Sequence, residues 1–203
     1  MVINKRLVTA ALAMFMATLI IACASKPFLK VQYQLPPSST ALTGESLFLQ
    51  ISDQRIDHTF LSSNAKKALK DFNATYSLVV LRDDGSGNLI GAYDLNSLWR
   101  EIFKQRLANE GVTVSASKES TNTTLEIQIK EFKLDIVNRK WMLQMSYQAA
   151  LSGDNTALAK ETINGSAERL KVMGKSDAEK ILGELVTDMV NKLDVARLYQ
   201  QVR

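Results

Sequence analysis

The sequence is poor in the residues that build metal sites and nucleophilic sites, because its 203 residues include only one histidine and one cysteine. A single cysteine forms no internal disulfide, and with one histidine it cannot fill a tetrahedral zinc site. The chain also lacks the G-x-S-x-G, P-loop and EF-hand patterns. These absences predict no metal and no dissociable cofactor, and they require a fold that rests on an ordinary hydrophobic core.

Long apolar runs are also missing, apart from one near the beginning of the chain. Residues 7–21 are uncharged, but a membrane-spanning helix needs about 20 apolar residues. Lys5 and Arg6 precede the run, and a short apolar run after cations is typical of a signal peptide. Residues 1–22 are therefore predicted to be a signal peptide.

The apolar run leads into the letters IIAC, which place the single cysteine at position 23. This stretch resembles a bacterial lipobox, in which the thiol of Cys23 receives a diacylglycerol and the chain is cut between Ala22 and Cys23. Two or more acyl chains hold a protein stably on a bilayer. Because Ala24 rather than Asp follows the cysteine, the resemblance implies the periplasmic face of the bacterial outer membrane. The alternative is a plain secretory signal, or an anchor helix, with a chance cysteine.

Proline is confined to positions 27, 36 and 37, which indicates a Pro-stiffened tether after the anchor. The predicted organisation is a lipidated Cys23 and tether over 23–44, followed by one globular domain over 45–203, a length that fits a single domain. Residues 28–35 alternate between apolar and polar side chains. This part of the tether could instead dock on the domain as an edge strand.

The domain is predicted to be α+β. Two amphipathic helices are expected, one over 94–111 with Asp94 as its N-cap and one over 176–200 with a capping box of Ser176 and Glu179. The alternating segment 123–137 changes phase near Lys130, which indicates a β-bulge. Half-buried alternating strands imply a sheet with one covered face. The expected architecture is a two-layer sandwich, with both helices packed on one face of a mostly antiparallel sheet.

Charges of both signs are mixed along the domain. The net charge of +4 falls to +2 when Lys5 and Arg6 leave with the signal. The basic cluster KKALK, residues 66–70, is interpreted as a solvated helical face. We therefore expect no nucleic-acid partner, and the predicted export of the chain points the same way.

One group of side chains could support catalysis. His58 is close in sequence to Asp53, Asp57 and Ser62, so a Ser–His–Asp arrangement is conceivable. A triad is defined by geometry, however, and local crowding of these common residues is weak support for one. We expect His58 to be an exposed loop histidine and the protein not to be an enzyme.

Four stretches resemble the YajG-type bacterial outer-membrane lipoproteins, which are mostly uncharacterised. They are LQISDQRIDHTF (49–60), LWREIFKQRLANEGVTV (98–114), LEIQIKEFKLDI (125–136) and KILGELVTDMVNKL (180–193). The sharpest motif is DQR at 53–55, and the resemblance supplies no catalytic residues. Asp53 and Arg55 are expected to form a structural ion pair at a strand end, with contact to a partner as the alternative role.

Three functional hypotheses remain open. The anchor and the missing active-site chemistry favour a non-catalytic lipoprotein that binds or supports a cell-envelope assembly or transport system. Its expected partners are the membrane, through the lipid on Cys23, and an envelope protein. The alternatives are an enzyme that acts on cell-wall or lipid substrates through an unrecognised site, and a structural lipoprotein that self-associates through an edge strand or the hairpin around residues 76–94.

Overall fold

The computed structural model describes residues 27–82, 84–153 and 158–202 of the chain. The predicted signal peptide, Ala22 and Cys23 lie outside these ranges. The strands are β1 (Phe28–Gln34), β2 (Ser46–Asp53), β3 (Thr75–Leu81), β4 (Gly87–Tyr93), β5 (Thr113–Ser115), β6 (Thr124–Val137), β7 (Lys140–Ser152) and β8 (Leu158–Leu170). The α-helices in the described ranges are α1 (Ser63–Ala68), α2 (Leu95–Asn109), α3 (Lys175–Lys192) and α4 (Val195–Val202).

The predicted α+β class is confirmed, but the strands of the described ranges form two sheets rather than one, and both antiparallel and parallel pairs occur in them. One sheet has the order β1-β3-β4 and the other has the order β5-β2-β6-β7-β8. The pairs β1–β3, β2–β5 and β2–β6 are parallel. They are parallel because other elements intervene and return the chain to the same end of the sheet before the second strand begins.

Helices α2 and α3 cover the same face of the five-stranded sheet, as predicted. The ring of Tyr147 on β7 lies 5.3 Å from that of Trp99 and 5.7 Å from that of Phe103, both on α2. The Tyr147 hydroxyl donates to the carbonyl oxygen of Met189 on α3 at 2.9 Å. The apolar stripes of both helices are buried against this face, and the core of the domain lies there.

Strand β6 contains the predicted bulge. Its register against β7 shifts between Ile129 and Glu131, so Lys130 is the extra residue. The shift brings two apolar series of opposite parity onto one buried face. The buried members are Leu125, Ile127 and Ile129 before the bulge and Phe132 and Leu134 after it.

The last predicted helix is divided into α3 and α4, and its predicted capping box of Ser176 and Glu179 is wrong. Gly174 precedes α3, and no side chain caps this helix. The Glu179 carboxylate instead accepts a bond from the backbone N–H of Lys30 at 2.9 Å. Asp194 begins the short α4 by accepting from the N–H of Arg197 at 2.9 Å.

The tether predicted over 23–44 is wrong from Phe28 onward. Residues 28–34 form β1, whose side chains Leu29, Val31 and Tyr33 are fully buried. The following loop is held against α2, where the amide of Asn109 donates to the carbonyl oxygen of Pro36 at 2.9 Å. The alternating pattern therefore belongs to an edge strand, the alternative that the sequence left open.

Helix α3 runs along the free edge of β1 and satisfies two of its backbone donors. The N–H of Lys30 bonds to Glu179, and the N–H of Gln34 bonds to the hydroxyl of Thr187 at 3.0 Å. Four strand residues rise about 13 Å and eight helical residues rise about 12 Å, so the two series of partners stay in step. We call these contacts the β1–α3 clamp. It covers an edge that would otherwise be open to pairing with another chain.

The clamp predicts that Gly183→Ala is destabilising. Gly183 lies on α3 between Glu179 and Thr187, and a Cβ there would come within 2.7 Å of the Gln32 carbonyl oxygen. Helix propensity alone would make alanine more stable than glycine by about 1 kcal/mol. We expect the clash with the backbone to outweigh this gain in helix propensity. The free energy of unfolding, measured by urea titration, should fall by about 2 kcal/mol.

The matched control is Lys180→Ala, at an exposed position of the same helix, which should change the free energy of unfolding by less than about 0.5 kcal/mol. A Gly183→Ala protein at least as stable as wild type would contradict the close approach of α3 to β1.

Candidate functional site

A cleft of about 830 Å³ opens where β2 ends. Its walls are the loop between β2 and α1, helix α1, the beginning of β3 and the second half of β6. The loop is fixed to β6 by backbone bonds: the N–H of Leu134 donates to Phe60 at 2.7 Å, and the N–H of Ser62 donates to Leu134 at 3.0 Å. Arg55, Asp57, His58 and Ser62 all line this cleft.

Asp53 and Arg55 form an ion pair at the mouth of the cleft, as the DQR motif predicts. Asp53 ends β2, and its two carboxylate oxygens accept bonds from Nε and Nη2 of Arg55, both at 2.8 Å. Arg55 is 7% exposed, and its Nη1 donates to the carbonyl oxygen of Phe132 at 3.2 Å. The hydrogen bonds from Arg55 hold the pKa of Asp53 well below its ordinary value. The pair therefore fastens the end of β2 to the strand beyond the bulge.

His58 does not take part in a Ser–His–Asp triad. Its Nδ1 lies 3.1 Å from a carboxylate oxygen of Asp53, and its side chain is 67% exposed. The hydroxyl of Ser62 donates to the carboxylate of Asp135 and caps α1 by accepting a backbone N–H. The serine–imidazole hydrogen bond that defines a triad is therefore absent between these two described residues.

Asp57 has a structural role at the rim of the cleft. One carboxylate oxygen accepts from Nζ of Lys133 at 2.8 Å, and the other accepts from the backbone N–H of Thr59 at 2.9 Å. The hydrogen bond from Lys133 is the main reason that the pKa of Asp57 is lowered. Asp57 thus closes a turn and pairs with a cation, and it stays ionised rather than carrying a proton.

An aromatic cluster forms the floor of the cleft, and sequence reasoning missed it. Phe60, Phe72 and Tyr76 line the floor, with the Phe60 ring 5.8 Å from Phe72 and 5.5 Å from Tyr76. Phe132 stacks against Phe60 at 4.7 Å. Burial raises the pKa of the Tyr76 hydroxyl. An apolar floor with a charged rim is typical of sites that bind a ligand or a peptide segment.

A second group of polar side chains lies in the core, where β1, α2 and α3 meet. Arg106 is 7% exposed and pairs with Glu110 at 2.6 Å, and burial raises the pKa of Glu110. Nearby, the Tyr33 hydroxyl donates to Asn191 at 2.9 Å. The first pair lies within α2 and its C-cap, and the second bond joins β1 to α3, so we assign this group to the fold rather than to a site.

In the described part of the chain, no three His, Cys, Asp or Glu side chains gather closely enough to hold a metal ion. Among the same residues, no helix has the length and apolar character needed to cross a membrane.

No protein-family model and no curated protein sequence matches the chain. Solved structures that are similar to it include the following three. A Xanthomonas campestris protein of family DUF330 has 13% identity and a TM-score of 0.49 over 88% of this chain and 95% of that chain. PelC, a dodecamer from Paraburkholderia phytofirmans, has 10% identity and a TM-score of 0.38 over 76% of this chain and 94% of that chain. The lipoprotein GNA1162 of Neisseria meningitidis has 16% identity and a TM-score of 0.30 over 73% of this chain and 96% of that chain.

None of these three proteins is described as YajG-type, so that resemblance stays a prediction. At these identities and TM-scores the comparisons carry no argument about function.

The ion pair predicts a pH-dependent loss of stability in Asp53→Asn. The substitution leaves the buried Arg55 guanidinium without its charge partner, so the free energy of unfolding at pH 7 should fall by about 2–4 kcal/mol. Because the pKa of Asp53 is lowered from an ordinary value of 3.8, the stabilisation is full above that value and is lost as the pH falls. The difference between wild type and variant should therefore shrink as the pH falls below about 4.

Urea titrations from pH 7 to pH 3 measure this difference, and His58→Ala is the control. Since His58 is exposed, its replacement should leave the free energy of unfolding within about 0.5 kcal/mol of wild type at pH 7. A difference between wild type and Asp53→Asn that does not depend on pH would refute the assigned role of the pair.

Proposed function

We propose that the protein is a lipid-anchored, periplasm-facing lipoprotein of the YajG type that binds or supports an envelope assembly and has no catalytic activity. The observation that carries the proposal is the position of β1. Pro27 is four residues beyond Cys23, and the buried strand begins at Phe28. A lipid on Cys23 would therefore hold the folded domain within about 14 Å of its attachment point.

The state of the polar groups in the cleft supports binding rather than catalysis. The Asp53 carboxylate is paired with Arg55, and the Asp57 carboxylate is paired with Lys133. The Ser62 hydroxyl donates a hydrogen bond to Asp135. A nucleophile needs a base within hydrogen-bond reach that a third group orients. The imidazole of His58, the most versatile group at the site, contacts a carboxylate and projects into solvent.

The partner that this cleft suits best is a protein segment with an apolar side chain and polar flanks. The partly exposed ring of Phe72 offers an apolar contact that is backed by the buried rings of Phe60 and Tyr76, while Lys66 and Asp135 also line the cleft. Aromatic side chains surrounded by polar groups are common at protein–protein interfaces. The outer membrane, implied by Ala24, is the proposed location, and a component of an envelope assembly is the proposed partner.

Lipid attachment is tested with Cys23→Ser. We expect an unprocessed precursor without lipid, because the thioether requires the cysteine sulfur and cleavage before residue 23 follows lipidation. Metabolic labelling with radioactive palmitate, combined with the mass of the purified chain, measures both events. His58→Ala should label like wild type. Palmitate in the Cys23→Ser protein would contradict the proposed anchor.

The cleft is tested by replacing the exposed Thr59, which lines it, with a photo-crosslinking amino acid in living cells. We expect a discrete adduct with another envelope protein, and no such adduct from the same group at exposed Asn122.

In a deletion strain, His58→Ala at wild-type abundance should restore function. An abundant, folded His58→Ala protein that fails to restore function would favour an enzyme instead.

A further inference from the structure

The end of the domain from which the anchor leaves carries an unusual set of exposed side chains. Pro27 is fixed at this end, since the N–H of Asn73 donates to its carbonyl oxygen at 3.0 Å. The ring of Phe28 lies 5.4 Å from Nζ of Lys175 at the beginning of α3. The loop between β8 and α3, residues 171–174, therefore lies beside the point where the chain leads back to Cys23.

This end is apolar as well as exposed. Val172 is 80% exposed and Met173 is 68% exposed. Leu170 is also exposed and lies in one row with Lys140 and Val137 across β8, β7 and β6. Four of the seven large apolar side chains exposed in the described part of the chain thus gather around this end. We call residues 170–173, together with Val137, the apolar tip.

The loop in the apolar tip has a fixed shape. The carboxylate of Asp177 accepts a bond from the N–H of Val172 at 2.8 Å and a second from the N–H of Met173. The Trp141 indole donates to the carbonyl oxygen of Gly174 at 3.1 Å. Both apolar side chains are therefore held outward by bonds that the folded protein makes without any partner.

Several lysine side chains lie at the same end of the domain as the apolar tip. Lys66, Lys67 and Lys70 belong to α1 and the turn after it, and Lys171 lies within the tip itself. Lys67 and Lys70 share a small cavity with Phe28 and Lys175, which places α1 beside the beginning of β1. These four lysines are exposed and form no ion pair with any other described residue.

We propose that the apolar tip and these lysines dock onto an anionic phospholipid surface, as a second membrane contact beside the acyl anchor. The proposal rests on the proposed lipid at Cys23, because the short connection from Cys23 to Pro27 brings this end of the domain to the bilayer. Apolar side chains enter the interface while lysines bind anionic headgroups, and each signal strengthens the other. The domain then stands on the membrane in one orientation.

The test uses the mature lipidated chain carrying Met173→Cys, labelled with an environment-sensitive fluorophore and reconstituted into vesicles that contain bromine-labelled lipid. Vesicles of phosphatidylcholine are compared with an equal mixture of phosphatidylcholine and phosphatidylglycerol. The control label is placed by Asn122→Cys, in the loop before β6. Strand β6 spans 14 residues, so this label lies about 40 Å along the strand from the tip.

We expect bromine to quench the label at position 173 in the anionic vesicles, more weakly in the neutral vesicles, and not at position 122 in either. The triple variant Lys66→Glu, Lys67→Glu, Lys70→Glu should lower the ratio of docked to undocked protein by more than about tenfold, since each lysine near an anionic surface contributes about fivefold. The control is the triple variant Lys104→Glu, Lys118→Glu, Lys160→Glu, which has the same net charge as the first triple variant. Its label at position 173 should be quenched as strongly as in the protein whose lysines are unchanged.

Equal quenching at positions 173 and 122, or quenching that the first triple variant does not change, would overturn the proposal. Self-quenching between labels at position 173 that rises with protein density would assign the tip to a second copy of the chain and would also overturn it. A separate measurement tests the lipid anchor itself. One free thiol in the purified wild-type chain would show that Cys23 is unmodified, and this would refute the proposed lipoprotein before any quenching is measured.

Discussion

The β1–α3 clamp is the contact on which the arrangement of this protein depends. Strand β1 lies at the edge of the three-stranded sheet, and its backbone donors at Lys30 and Gln34 are taken by side chains of α3. Helix α3 also packs on the five-stranded sheet through Met189 and Tyr147. The clamp therefore joins the two sheets through one helix, and it does so with the first described strand of the chain.

This arrangement determines where the anchor meets the domain. A strand held on one edge by β3 and on the other by α3 cannot serve as a flexible spacer, so only the few residues between Cys23 and Pro27 would connect the domain to the proposed lipid. The cleft and the apolar tip would then face the membrane side together, because β3 begins beside Phe28 and α1 both lines the cleft and carries a lysine beside Phe28 and Lys175. A partner in the cleft would meet the protein near the bilayer surface rather than far into the periplasm.

Features that depend on local periodicity were predictable from the sequence. The α+β class, helix α2 with its Asp94 cap, the bulge at Lys130 and the Asp53–Arg55 pair each involve residues that are close together in the chain. The clamp joins Lys30 to Glu179 across 149 positions, and Ser62 reaches Asp135 across 73 positions. No periodic pattern marks such pairs, and the same holds for the aromatic floor of the cleft, whose rings come from separate elements. The prolines at 27, 36 and 37 flank β1 and made its segment resemble a linker.

The central claim is that the folded domain stands directly on the membrane, with no spacer between the lipid and the first strand. Neutron reflectometry of the mature lipidated protein on a supported bilayer measures this most directly, because it resolves layers of protein and water along the membrane normal. The account predicts protein density that begins at the headgroups, with no separate water layer. A water-rich layer of about 25 Å between the headgroups and the domain, the reach of a flexible chain of some twenty residues, would contradict it.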